Sequence, residues 1–279
     1  MKLILTEEEQ FLKDTAKNFA EERSPITHFR SLRDNSDPVL WDKDMWQEMS
    51  KLGWPGIMIP EEFGGSNFGL SGICVVLQEC AKTLTPSPLF ATGVLGAYAI
   101  NNYGTKEQKE KYLPLIANGK LTTSVAVDES SHHNPNDTLL IAKKSADEFI
   151  LSGKKTFVID GTSSDLLIVL ARTSGEKGDS TGLTLFLIDS DSDGIDRIKL
   201  EMADSRNYAN IIFDNVKISS NNILGDIEAG GEAIDDILDI GRIAISAEML
   251  GNSEAAFETT LDYLKQRKQF GVLIGSFQA

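Results

Sequence analysis

From the N-terminus to about residue 120, apolar positions recur every three to four residues, which predicts helices. Thr6 followed by Glu9 is a capping-box pattern that satisfies free amides at a helix start. Phe11, Leu12, Thr15, Ala16, Phe19 and Ala20 then form one apolar stripe. Asp44 to Leu52 predicts a second, short helix ended at Gly53, and Pro60 to Gly65 is a turn-rich break. Gly69–Leu84 and Leu89–Tyr103 are apolar on most faces, as expected of helices inside a bundle.

The period changes at Leu121. Thr123–Val127, Phe149–Leu151, Leu166–Ala171, Leu183–Ile188 and Ile211–Ile218 are short apolar or β-branched runs divided by Gly, Asp and Ser clusters. They predict an antiparallel barrel or sandwich. Gly225–Gly231 is a linker, after which Glu232–Lys268 returns to a long apolar helical pattern through Ile234, Ile237, Leu238, Ile245, Leu250, Phe257, Leu261 and Leu264. Helices, strands and helix are segregated along the chain. The fold class is therefore α+β, with an N-terminal helical bundle (1–120), a middle β domain (121–225) and a C-terminal helical domain (226–279). The third domain reads as truncated, since an apolar helix of that length needs partners to bury it. Neither GxGxxG nor GxxxxGK[ST] occurs, so the usual nucleotide phosphate loops are absent from the sequence.

Composition narrows the partners. Against 27 Lys and Arg stand 42 Asp and Glu, a formal net charge of −15. Such a balance disfavours nucleic acid, which requires a basic face. No signal peptide or membrane-spanning run is present in the sequence, and the expected location is the cytoplasm. Cys74 and Cys80, six apart in an apolar run, read as buried reduced thiols. His132 and His133 lie near Asp128 and Glu129, but adjacent side chains in extended chain point to opposite sides, so no metal is expected.

Four segments carry a family resemblance, in order. Leu52-Gly53-Trp54-Pro55-Gly56 leads into Ile59-Pro60-Glu61-Glu62-Phe63-Gly64-Gly65. Gly104 to Pro114 fits G-x-x-x-Q-K-x-x-Y-L-P, and Leu151 to Gly161 fits L-x-G-x-K-x-W-I-T-N-G with substitutions. Tyr263 to Gln278 fits Y-x-x-x-R-x-Q-F-G-x-P-I-x-x-F-Q. Together they resemble the acyl-CoA dehydrogenase family, and the middle stretch is most similar to its branch of pimeloyl-CoA dehydrogenase small subunits.

The resemblance implies bound FAD, an acyl-CoA thioester as substrate, electron-transfer flavoprotein as acceptor, and a homo- or hetero-oligomer (dimer or tetramer). The implied reaction, α,β-dehydrogenation, needs a carboxylate base, a polarised thioester oxygen and a flavin held face-on. By resemblance, Val127, Asp128 and Glu129 lie in the flavin loop, although its usual Pro and Gly residues are missing. Phe157, Val158 and Ile159 lie beside the flavin ring; Phe157 stands for the family's Trp and Ile159 for its Thr. Ordinary β-core packing is the other reading of Phe157 and Ile159. Arg267, Gln269, Phe270 and Gln278 are implied at the pyrophosphate and adenosine of the cofactor; a solvated helix-end Arg is the alternative for Arg267. Asp239 and Arg242 are implied at CoA, or form a purely structural pair at i,i+3. Some relatives carry the base on the long helix where this chain has Gly241, so no general base is assigned. A catalytically silent partner subunit of a heteromeric dehydrogenase is therefore the alternative to an active one.

Overall fold

The structure is a computed structural model that describes residues 4–277. Helix α1 (Glu7–Arg23) opens on the expected capping box: the Thr6 hydroxyl accepts from the Glu9 amide at 3.1 Å, and the Glu9 carboxylate accepts from Thr6 N at 2.8 Å. Ala16, Phe19 and Ala20 of its stripe are buried, whereas Phe11 is exposed, because the stripe's first turn overhangs the bundle. Helix α2 (Ile26–Asp34) precedes α3 (Lys43–Lys51), whose N-cap Asp42 accepts from two backbone amides. Gly53 at φ +77 ends α3, a left-handed conformation that glycine adopts without strain.

Helix α4 (Gly69–Lys82) runs through the bundle. A fully buried π-helical stretch, Phe90–Gly96, then leads into α5 (Ala97–Tyr103), and α6 (Lys106–Ala117) follows. The π stretch joins bundle to sheet. Thr92 Oγ1 accepts from Thr123 N at 2.9 Å, and Thr123 Oγ1 donates to Ala91 O at 3.1 Å.

Strand β1 (Thr123–Ala126) lies parallel beside β4 (Leu166–Arg172). The remaining strands are β2 (Ile141–Ser145), β3 (Glu148–Ile159), β5 (Leu183–Asp189), β6 (Ile195–Leu200), β7 (Tyr208–Ser219) and β8 (Ile223–Leu224). The sheet has the order β6-β7-β3-β2-β4-β5-β8, almost wholly antiparallel and open rather than closed into a barrel. β2, β6 and β8 carry no clear signal in the sequence; β2 is largely exposed, and β6 is largely half-buried but sets Asp196, Arg197 and Lys199 among its apolar residues, so neither shows a regular apolar alternation.

The period-2 pattern sorts β4 and β5 between two cores. Leu166, Ile168, Leu170, Leu183, Leu185 and Leu187 pack against the helices. Leu167, Val169, Ala171, Phe186 and Ile188 pack with Phe149 and Phe213 on the opposite face.

The long helix α7 (Gly230–Gln266) returns across the bundle. Its first half buries Ile234, Ile237 and Ala244, while Leu250, Phe257 and Leu261 in its second half are exposed. Glu79, 1% exposed on α4, is paired with Lys82 at 3.1 Å and Lys13 at 3.6 Å, and Lys82 bridges on to Glu254 of α7 at 3.0 Å. A Cβ at Gly251 would lie 2.0 Å from the Gln78 carbonyl oxygen, so α4 and α7 touch backbone to backbone there. Gly251→Ala is expected to destabilise the protein by about 1–3 kcal/mol through forced separation of the two helices. Thermal unfolding beside the exposed control Ser253→Ala measures it; equal midpoints would contradict the packing account.

Cys80 is buried and Cys74 half-buried, both as free thiols, and burial pushes the Cys80 thiol up to about 12. Among the described residues no helix is long and apolar enough to cross a membrane.

Candidate functional site

The end of β3 is where the geometry concentrates. Its register with β7 shifts between Lys155 and Val158, a bulge in which Phe157 takes φ +53. A left-handed aromatic residue is strained unless its surroundings hold it. The bulge buries Val158, turns the Phe157 ring outward and leaves Ile159 half-buried on the other side. Phe157 borders a groove of about 290 Å³ with Ser130, Ser131, Thr156 and Asn210. Ile159 borders a separate cleft of about 360 Å³.

The loop carrying Val127, Asp128 and Glu129 is fastened from beneath by Lys155, which is fully buried. The ammonium donates to Val127 O at 2.7 Å, Glu129 Oε1 at 2.8 Å and Thr138 Oγ1 at 3.4 Å. Glu129 in turn accepts from the amides of Leu139 (2.7 Å) and Leu140 (2.9 Å), so its carboxylate is turned inward. Burial lowers the Lys155 pKa to about 8, opposed by the Glu129 charge. Buried Arg172 secures the far end of the loop by donating to the carbonyls of Thr138 (3.0 Å) and Asn136 (2.9 Å). Asp128 pairs with exposed His133 at 2.8 Å, and its carbonyl accepts from Thr156 N at 2.7 Å. The loop is thus shaped by side-chain anchors where the family pattern has Pro and Gly.

Motif and spacing do not single out those anchors. One signal in the sequence points to them: Lys154 and Lys155 are adjacent in a strand, so one of them must face the core.

A polar cluster sits across the cleft from Ile159. Asp160 is 6% exposed, and its carboxyl oxygens take no hydrogen bond among the described residues. Burial pushes its pKa up to about 7, opposed by the positive charge of Arg206. Arg206 is ion-paired with Glu248 of α7 through Oε1, while Glu248 Oε2 is buried without a partner. Asn207 holds the Arg206 loop in place: its Nδ2 donates to Val39 O and Ser163 Oγ, both at 3.0 Å, and its Oδ1 accepts from Thr162 Oγ1 at 2.7 Å.

On α7, Gly241 is buried, and a Cβ there would lie 2.7 Å from Leu95 Cδ2 and 3.7 Å from Phe90 Cζ. That point of α7 is a packing contact. Asp239 and Arg242 form the expected i,i+3 ion pair, but both side chains are more than half exposed. Arg242 therefore faces solvent rather than the apolar stretch that surrounds it in sequence.

Arg267, Gln269 and Phe270 lie on a small hairpin of β9 (Lys268–Gln269) and β10 (Val272–Leu273) and are exposed, Phe270 at 93%. Phe270 meets Phe277 edge to face at 6.5 Å. No side-chain hydrogen bond or ion pair among the described residues links this hairpin to the β3 bulge. The bulge and the hairpin are therefore not joined into one site within the chain. Gln278 lies outside the described residues.

Comparison with known proteins fits this architecture domain by domain. The N-terminal, middle and C-terminal domains of acyl-CoA dehydrogenase match residues 6–120, 127–216 and 228–279. The chain is 31% identical over 294 residues to the 3-(aryl)acrylate reductase of Clostridium sporogenes, covering 99% of this chain and 74% of that protein.

This chain belongs to the acyl-CoA dehydrogenase family.

It is also 31% identical over 279 residues to the mitochondrial short/branched chain specific acyl-CoA dehydrogenase of Bos taurus, covering 98% of this chain and 63% of that one. The solved butyryl-CoA dehydrogenase of Megasphaera elsdenii superposes with a TM-score of 0.89 at 30% identity, covering 99% and 74% of the two chains. The family is one of flavoprotein oxidoreductases whose cofactor is FAD. The residues present suit that cofactor in part. An outward aromatic ring on an anchored bulge, beside a groove edged with hydroxyls, offers a face and polar contacts to a planar ring system. The guanidinium of Arg267 is free to meet a pyrophosphate, as an exposed side chain without an ion pair among the described residues.

Proposed function

We propose that the chain is an FAD-binding subunit of an acyl-CoA dehydrogenase, carrying out α,β-dehydrogenation of an acyl-CoA thioester with electrons passed to electron-transfer flavoprotein. The observation that carries this reading is the β3 bulge, which sends Phe157 to the groove and Ile159 to the cleft bordered by α7. FAD, when bound, supplies the hydride acceptor. Phe157 and Ile159 would hold its ring, Val127, Asp128 and Val158 would contribute backbone contacts, and Glu129 acts by holding the loop. Arg267, Gln269 and Phe270, exposed on the hairpin, would serve the cofactor of a neighbouring subunit, so the working unit of this reading is an oligomer. Asp239 and Arg242, exposed on α7, receive the CoA moiety.

The similarity of Val158–Gly161 and Ala171-Arg172 to the pimeloyl-CoA dehydrogenase small subunits supports a heteromeric assembly. A second reading is favoured by Gly241: with Leu95 and Phe90 packed against it, no carboxylate stands at that point of α7. The subunit would then complete a site whose α-proton is taken by a base outside these residues.

Flavin uptake tests the proposal. The purified protein, with its partner subunit if one is required, is expected to retain FAD through gel filtration and to show flavin absorbance. Phe157→Ala is expected to weaken FAD by about fivefold to tenfold, the loss of one aromatic contact of about 1 kcal/mol. A colourless protein that takes up no added FAD would refute the reading.

A further inference from the structure

The cleft beside Ile159 is lined by three carboxyl groups that the proposed function leaves unused, those of Asp160, Asp204 and Glu248. Its walls are apolar where Phe90, Ile245 and Met249 line it, and polar where Asp160, Arg206 and Glu248 do. Ile159, which the proposed function sets beside the flavin ring, lines this cleft, so an acyl group reacting at that ring has the cleft beside it.

Buried polar atoms are ordinarily satisfied within the protein. Two here are not. Glu248 Oε2 is buried without a partner, and the Asp160 carboxyl, 6% exposed, takes no hydrogen bond among the described residues although it borders the open cleft. Both are acceptors when ionised. Arg206 is the only cation among the residues lining the cleft, and Glu248 already engages it. Asp204 adds another negative charge and is itself occupied, accepting from the Arg206 amide at 3.1 Å and Tyr208 OH at 3.2 Å. An incoming carboxylate would find no free cation and a surplus of negative charge. A plain hydrocarbon would leave both acceptors dry and unpaired, which is costly.

We propose that Asp160 and Glu248 make this cleft selective for acyl groups that carry a hydrogen-bond donor, a hydroxyl or amino group beyond the reacting carbons. The inference rests on the acyl-CoA reading and names the substrate class of that site. It sets the chain apart from one that takes ω-carboxylated acyl groups, despite the similarity of its middle stretch to the pimeloyl-CoA branch.

Isothermal titration at pH 8, where the Asp160 carboxyl has lost its proton, of the FAD-loaded protein (with its partner subunit if required) with CoA, hexanoyl-CoA, adipoyl-CoA and the 4-, 5- and 6-hydroxyhexanoyl-CoAs tests it without recourse to turnover. The tightest hydroxyacyl ester is expected to bind about tenfold or more tighter than hexanoyl-CoA, the scale of one hydrogen bond to a charged acceptor, with adipoyl-CoA weakest. In the double variant Asp160→Asn, Glu248→Gln the hydroxyl advantage is expected to fall to within about twofold, because the acceptors are no longer charged. Hexanoyl-CoA or adipoyl-CoA binding as tightly as every hydroxy ester would overturn the inference while leaving the acyl-CoA reading intact. Failure of CoA and all the esters to bind would overturn both. The ranking on the unaltered protein decides the matter even if the double variant does not fold.

Discussion

Replacing Lys155 with methionine is expected to lower stability by about 3–5 kcal/mol, the cost of breaking a buried ion pair from one side. Met fills a similar volume, so the loss is not a cavity effect. It arises because Glu129, 13% exposed, keeps its two amide donors but loses its cation, and because Val127 O loses its 2.7 Å donor. The neighbouring Lys154 is exposed, and Lys154→Met is expected to change stability by less than about 0.5 kcal/mol. Chemical denaturation of both variants gives the comparison. Glu129→Gln combined with Lys155→Met is expected to recover part of the loss, since the uncompensated charge is then gone. The 128–138 loop should also loosen in Lys155→Met, seen as faster amide exchange there with the helical bundle unchanged. Equal midpoints for the two lysine variants would show that the buried ammonium is not what holds the loop.

The second large effect concerns Asp160 and changes with pH. Its pKa is raised from 3.8 to about 7 by burial, so the native state holds the proton across a range in which the unfolded chain has released it. Because the folded value is the higher one, this contribution is fully present below pH 3.8 and is lost as pH rises towards about 7. Above that, the ionised carboxylate sits in the cleft with only the partly engaged Arg206 to offset it. Asp160→Asn removes the titration while keeping the shape. The variant should match the parent near pH 4 and exceed it by about 4 kcal/mol at pH 8, because each tenfold change in proton affinity is worth about 1.4 kcal/mol. Urea unfolding at several pH values measures the difference. A gap that stays constant across that range would mean that Asp160 is not the titrating group.

Much of the fold was legible because local spacing reports local faces. The Thr6–Glu9 cap, the Gly53 stop and the apolar run of β4 all follow from residues a few positions apart. Strand β2 was not legible, since an exposed strand needs no apolar alternation, and half-buried β6 interleaves Asp196, Arg197 and Lys199 with its apolar residues. The π-helical stretch Phe90–Gly96 hid within an ordinary apolar run, because an all-buried segment has no polar face to reveal its period. For Arg242 the i,i+3 pairing with Asp239 was legible, but its exposure was not, because the neighbouring Ile243 is exposed as well.

By itself the sequence determined the order of helices, strands and helix, and the family. Those are properties of residues close together in the chain or of patterns in register. Only the tertiary structure decided what surrounds the cleft beside Ile159. Asp160, Arg206 and Glu248 come from a strand end, a loop and a helix, and nothing in their spacing pairs Arg206 with Glu248 or leaves Asp160 without a donor. Likewise, Gly241 as a helix residue is silent until Leu95 is found against it. Packing of distant segments sets burial, and burial sets which charges are paired, shifted or left available to a ligand.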